Sequence, residues 1–164
     1  MANFTNRLSY LALMFGSMMA VASAQQKHSD VADANREYAA IFSHPENPCA
    51  TKQTTSSYVD CIGKEVTFTE THLAKFLTAI RGIVSQDDAG TATTLPPHKT
   101  RELDLVNRSD SAWQQYRKNM CDLTSAGMAG GSGESSAGLE CIYRMNRTYT
   151  QQLADAVSLK TLAE

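Results

Sequence analysis

Four histidines, two neighbouring glutamates and a serine-bearing glycine stretch are the residues of this chain whose types suit catalysis. His28, His44, His72 and His98 are far apart in sequence, lie in three kinds of segment, and none stands at helical spacing from another, so they read as solvated side chains. Glu65 and Glu70 are the right types for a general acid and base. Five positions apart on a helix, however, they point to different sides and read as parts of a solvated face. A nucleophilic Ser132 or Ser135 would need an activating base and the strand-turn-helix setting of a Gly-x-Ser-x-Gly elbow, and neither is apparent. The same stretch lacks the Lys-Ser or Lys-Thr ending of a phosphate cradle. The expectation is a protein that is not an enzyme, with no catalytic residue and no cofactor.

Cysteine chemistry is more informative. Cys49, Cys61, Cys121 and Cys141 form an even set, and an even set in an exported chain implies disulfides. A zinc site is not expected, because no Cys-x-x-Cys pair occurs and no histidine is placed to complete a tetrahedral set. Three connectivities are possible. Cys49 with Cys61 and Cys121 with Cys141 is the favoured one, since each bond then closes a loop containing turn residues. Each closure stabilises by roughly 3 kcal/mol in the chain-entropy account.

Export is indicated by the N-terminus. Arg7 is the only charge in the first two dozen residues, an apolar run follows from Leu8 to Val21, and Ala22-Ser23-Ala24 presents small residues where a signal peptidase cuts. The run is shorter than the roughly 20 apolar residues that cross a bilayer, so a cleaved signal is expected over residues 1–24, with no membrane insertion afterwards. What remains is enough for one domain. It is read as an N-terminal segment with a short helix over residues 25–48 and a helical domain over residues 49–160. Losing Arg7 makes the formal charge of −2 one unit more negative, and the basic residues are dispersed rather than striped, which argues against a nucleic-acid partner.

The elements that carry these residues read as helices. Val31, Ala34, Tyr38 and Ile41 or Phe42 recur at helical spacing behind Ser29 and Asp30, which can cap, and His44-Pro45-Glu46-Asn47-Pro48 stops the pattern. From about Ser56 a longer stripe runs through Val59, Ile62, Val66, Leu73, Phe76 or Leu77, Ile80 and Ile83 or Val84, interrupted only at Thr69. Asp87-Asp88-Ala89-Gly90 is expected to break it, with a linker from Thr91 to His98. A third helix starts near Thr100, with Glu102 and Asp104 suiting its positive end and Leu103, Val106, Trp113, Tyr116, Met120 and Leu123 on its buried face. Gly127 to Gly138 reads as the principal loop. Ser135 or Ser136 then caps a last helix bearing Leu139, Ile142, Tyr143, Tyr149, Leu153 and Val157. No stretch alternates with period two, so the expected fold is all-α: a small bundle of three main helices plus the short N-terminal one, held by two disulfides.

Trp113, Arg117 and Cys121 share one face of the third helix at spacings of four. The plain reading has Trp113 filling the core, Arg117 lying across its ring or pairing with a neighbouring carboxylate, and Cys121 stapling the helix end. Asn107-Arg108-Ser109 and Asn146-Arg147-Thr148 also fit the glycosylation acceptor pattern.

From about Cys49 to Leu153 the sequence resembles the LprI-type lysozyme inhibitor-like family of bacterial exported proteins. The resemblance rests on Cys49, Cys61, Trp113, Tyr116, Arg117, Cys121, Gly130, Gly131, Ser132, Cys141 and Leu153. It departs where Glu70 replaces an Asp, Ala74 an Asn, and Tyr149 an expected Arg, with Arg147 two residues earlier. The resemblance implies a periplasmic or secreted binding protein whose partner is a protein, lysozyme being the one described for the family. The stretch bearing Gly130, Gly131, Ser132 and Glu134 would then be the partner-binding loop. The alternative is a non-enzymatic envelope or secretion-system accessory protein that binds through a helical face.

Overall fold

A computed structural model of the chain describes residues 25–91, 101–131 and 133–157. These residues form α1 over 25–43, α2 over Thr55–Thr91, α3 over Glu102–Ala126 and α4 over Glu134–Ala156, with no strand among them. The all-α expectation holds. The signal segment, most of the expected Thr91–His98 linker, Ser132 and residues 158–160 lie outside the described residues.

Helix α2 starts where a reciprocal cap forms. Thr54 Oγ1 accepts the Ser57 N–H at 3.2 Å, and Ser57 Oγ accepts the Thr54 N–H at 3.4 Å, which is capping-box logic with serine in place of the acid. Its far end outruns the break expected at Asp87–Gly90. The two aspartates are tied to other helices instead: Asp87 pairs with Lys27 of α1, and Asp88 accepts the N–H groups of Glu102 and Leu103, both at 3.1 Å. Asp88 therefore caps the next helix from outside it, because Arg101 at the N-cap makes no side-chain cap bond.

Helix α1 is longer than the short helix expected, and it begins before Ser29 and Asp30. Asp30 is not a cap. It turns toward α2, where it accepts from Gln86 at 2.9 Å and lies so close to Gly82 that a Cβ there would stand 2.4 Å from its Oδ2.

The main core joins Ala34 and Ile41 of α1 to Leu73, Phe76, Leu77, Ile80, Ile83 and Val84 of α2, Val106 of α3, and Tyr149, Leu153 and Ala154 of α4. Each large apolar side chain so buried stabilises by roughly 1.5–3 kcal/mol. Thr69, the break in the stripe, is fully buried, and its hydroxyl donates to the Val66 carbonyl at 3.0 Å. A smaller cluster of Cys49, Ile62, Val66 and Tyr143 lies at the Cys49–Cys61 bond. The second bond, Cys121–Cys141, pins α3 to α4.

The loop read over Gly127–Gly138 is shorter than expected. Helix α3 runs to Ala126 and α4 starts at Glu134, and Gly133 rather than Ser135 or Ser136 occupies the N-cap of α4. Gly138 belongs to α4 for a packing reason, since a Cβ there would stand 2.2 Å from Ser125 Oγ of α3. The glycine lets the two helices close up at the hairpin tip.

Candidate functional site

Trp113 and Arg117 face into the bundle. The Trp113 ring stacks on Tyr149 of α4 with centroids 4.2 Å apart and planes 7° from parallel, and the Arg117 guanidinium lies 4.8 Å from the Trp113 centroid. Arg117 donates to Asn146 Oδ1 at 2.7 Å and to Glu70 Oε1 at 2.9 Å. Asn146, with no exposed surface, donates in turn to Thr69 Oγ1 at 3.0 Å. One polar chain, Glu70–Arg117–Asn146–Thr69, thus ties α2, α3 and α4 beneath an aromatic stack. A cation whose hydrogen bonds go to a buried amide and a carboxylate is held for architecture, as the plain reading of Trp113 and Arg117 expects. Tyr149 holds its place in the bundle by stacking on Trp113.

The Tyr149 hydroxyl is buried and makes no hydrogen bond of good geometry. Burial pushes it up, Asp110 adds to the rise, and the nearby Ser109 and Arg81 oppose it. A second tie runs alongside, where Arg81 donates to Asp110 Oδ2 at 2.6 Å and to Asn107 Oδ1 at 2.9 Å. Both glycosylation-type asparagines are therefore bonded, and Asn146 is inaccessible in the folded chain.

Arg147 does separate work. It donates to the Ile41 and His44 carbonyls, each at 2.7 Å, with its guanidinium 4.7 Å from the Phe42 centroid. These are the carbonyls that the end of α1 leaves open, so Arg147 is a C-cap supplied by α4. Beside it lies an open groove of about 610 Å³ lined by Phe42, Glu46, Asn47, Arg144, Arg147 and Thr148 among others, with no histidine, serine or cysteine in its wall.

Two histidines are not solvated as expected. His44 Nδ1 lies 2.6 Å from Glu65 Oε2, and His72 Nδ1 lies 2.6 Å from Glu37 Oε2. The Phe68 ring sits between them, 4.2 Å from the His44 ring and 4.3 Å from the His72 ring. Glu37 and His44 are two turns apart, as are Glu65 and His72, so antiparallel α1 and α2 exchange one pair each way. That matched spacing was the available signal, visible only if both helices are read together. Glu65 and Glu70 do face different sides: Glu65 is mostly buried against His44, whereas Glu70 stays 46% exposed while pairing with Arg117. Burial would raise the Glu37 carboxyl. Hydrogen bonds from His72 and Arg36, with the charges of His72 and Lys75, outweigh burial and hold it below its ordinary value.

The hairpin tip is the remaining candidate. The Gly131 N–H bonds to Met128 O at 3.0 Å, Ala129 N–H to Ala126 O at 3.1 Å, and Gly130 takes a φ of 81° that favours glycine. At its base, Met145 Sδ lies 3.6 Å and 3.8 Å from the two sulfurs of Cys121–Cys141. The tip is thus a series of bonded turns on a covalent clamp, with Gly130, Gly131 and Glu134 on the surface. Tyr116, the third motif residue, points outward and is 57% exposed rather than part of the buried face. Met120 and Leu123 share its outward side.

Among the described residues, no group of three or more His, Cys, Asp or Glu is placed to hold a metal, and no helix is long and apolar enough to cross a membrane. Fold and site together define a disulfide-clamped helical protein in which Trp113 and Arg117 bind its own helices to one another. A family model described as Lysozyme inhibitor LprI matches residues 46–153, and the chain belongs to that family. No curated protein and no solved structure matches it.

Proposed function

We propose that this chain is an exported, non-enzymatic binding protein that inhibits a lysozyme-type muramidase in the periplasm or outside the cell. Membership of the inhibitor family over residues 46–153 is the observation that carries the reading. The hairpin tip supports it physically. A muramidase cleaves glycan between two carboxylates in a cleft, and a blocking element gains affinity by being rigid before it binds. Turn bonds among the described tip residues and the Cys121–Cys141 clamp beneath them would supply that rigidity.

Gly130 and Gly131 give a narrow profile, and Ser132 and Glu134 supply polar contacts. The acidic balance of the mature chain favours encounter with a basic muramidase. The leader over residues 1–24 supports export, and the oxidising compartment it implies suits both disulfides. The test is the clearing of a peptidoglycan suspension by lysozyme with and without the mature protein. Slower clearing that saturates at a fixed molar ratio is expected, and unchanged clearing at large molar excess would sink the proposal.

A further inference from the structure

The outer side of α3 carries an apolar seam that none of the described residues covers. Leu105 is 50% exposed, Tyr116 57% and Leu123 65%, and Ala112 between them is exposed too. At 100° per residue these four lie within about 40° of one another, well away from the face that buries Val106, Asp110 and Cys121. The seam runs about 27 Å from Leu105 to Leu123.

We infer that this seam is a self-association surface on which a second copy of the chain packs its own α3 antiparallel to the first. The register follows from the sequence. A two-fold axis beside residue 114 sets Leu105 against Leu123 of the second copy and Ala112 against Tyr116 of the second copy, so the smallest residue of the seam receives the largest. An isologous contact must be self-complementary in this way. The charges agree with the same axis. It keeps each flank facing its own copy, so Arg108 meets Asp122 of the second copy at both ends. Both are exposed, and the existing Lys118–Asp122 pair, within one helix and on the surface, is weak enough to exchange.

One helix pair buries less than the roughly 800 Å² per partner of a standard interface, so the dimer is weak and reversible. Antiparallel packing leaves the two glycine tips at opposite ends, free for other partners. The inference stands apart from muramidase inhibition and needs no muramidase to test.

The experiment is sedimentation equilibrium of the mature protein up to millimolar concentration, with circular dichroism as a check on folding. The average mass of the natural chain rises toward that of the dimer. Leu123→Glu, a change at an exposed position, raises the dissociation constant about tenfold or more while the helical spectrum is unchanged. Ala112→Tyr alone weakens the dimer, and Ala112→Tyr with Tyr116→Ala restores it by exchanging small and large across the axis. A mass that stays monomeric at millimolar concentration overturns the inference, as does a dimer indifferent to Leu123→Glu. So does a monomer whose muramidase inhibition falls on Leu123→Glu, which would assign the seam to that partner.

Discussion

Arg117 donates a 2.7 Å hydrogen bond to Asn146, a side chain with no exposed surface. Removing either partner strands a polar group under the Trp113–Tyr149 stack, which costs about 1–3 kcal/mol. Asn146→Ala is expected to lose that much in urea denaturation, as is Arg117→Ala. Arg117→Lys recovers less than half, because an ammonium cannot lie flat on the Trp113 ring while serving Asn146 and Glu70 together. A double-mutant cycle with a coupling energy near zero would show that the two act independently.

Asp88 caps a helix to which it does not belong. Its carboxylate accepts the first two N–H groups of α3, at Glu102 and Leu103, where the helix dipole is positive. Asp88→Ala should destabilise by about 1 kcal/mol, as loss of an N-cap does. Asp88→Asn should cost less, since the amide oxygen still accepts one bond. Thermal melts of the two variants check the order, and equal melting points for Asp88→Ala and the natural chain would count against the cap.

The helices, the disulfide pairing and the inward turn of Trp113 and Arg117 were legible because each depends on residues near in sequence or on apolar spacing. The roles of Asp30, Asp87 and Asp88 escape a local reading for one physical reason. Short acidic residues look like caps and breakers of their own helix, and a partner on another helix leaves no local trace. The His44–Glu65 and His72–Glu37 pairs were hidden likewise, since they exist only once α1 lies against α2. Apolar neighbours put Tyr116 on the buried face in a local reading, although its spacing from Leu123 and Leu105 also fits an outward seam. Gly138 reads as loop because glycine is a poor helix former. Contact with Ser125 decides otherwise.

Glu37 makes stability depend on acid pH. Its folded carboxyl titrates below the ordinary value of 4.5, held there by His72 and Arg36 against the cost of burial. A depressed folded value means that the stabilisation is complete above 4.5 and is lost as the pH falls through the lower, folded value. Glu37→Gln is therefore expected to be less stable than the natural chain near neutral pH and to close that gap on acidification. Parallel chemical-denaturation curves taken from neutral pH into the acid range measure it. A gap that stays constant with pH would mean that the Glu37 charge does not matter.

At the other end of the scale, burial and a 2.6 Å hydrogen bond to Glu140 push the Tyr58 hydroxyl up to about 12. The neutral phenol is the favoured form in the folded state, so its contribution holds below the ordinary value of 10 and fades as the pH rises through about 12. Ultraviolet titration of the natural chain against Tyr58→Phe isolates this group. Glu140→Gln removes the neighbouring charge and should bring the titration down, though not to 10, because burial remains. A Tyr58 midpoint unmoved by Glu140→Gln would leave burial as the sole cause.

The hairpin tip offers the sharpest separation of binding from folding. Gly130 has a φ of 81° and open space around its missing Cβ, so Gly130→Ala meets no clash and strains only the backbone, by about 1–2 kcal/mol. The turn is then expected to shift shape while the Cys121–Cys141 clamp and the core below it persist. If the tip enters a muramidase cleft, inhibition should weaken about tenfold in Gly130→Ala, the scale of roughly 1.4 kcal/mol of lost binding, with the melting point lowered by the several degrees that the backbone strain alone accounts for. Glu134→Lys should act through charge instead, slowing association with a basic muramidase most at low salt, with the difference vanishing as salt is raised. Stopped-flow binding at two ionic strengths distinguishes the two effects. Full inhibition by both variants would move the contact surface away from the tip and onto a helical face.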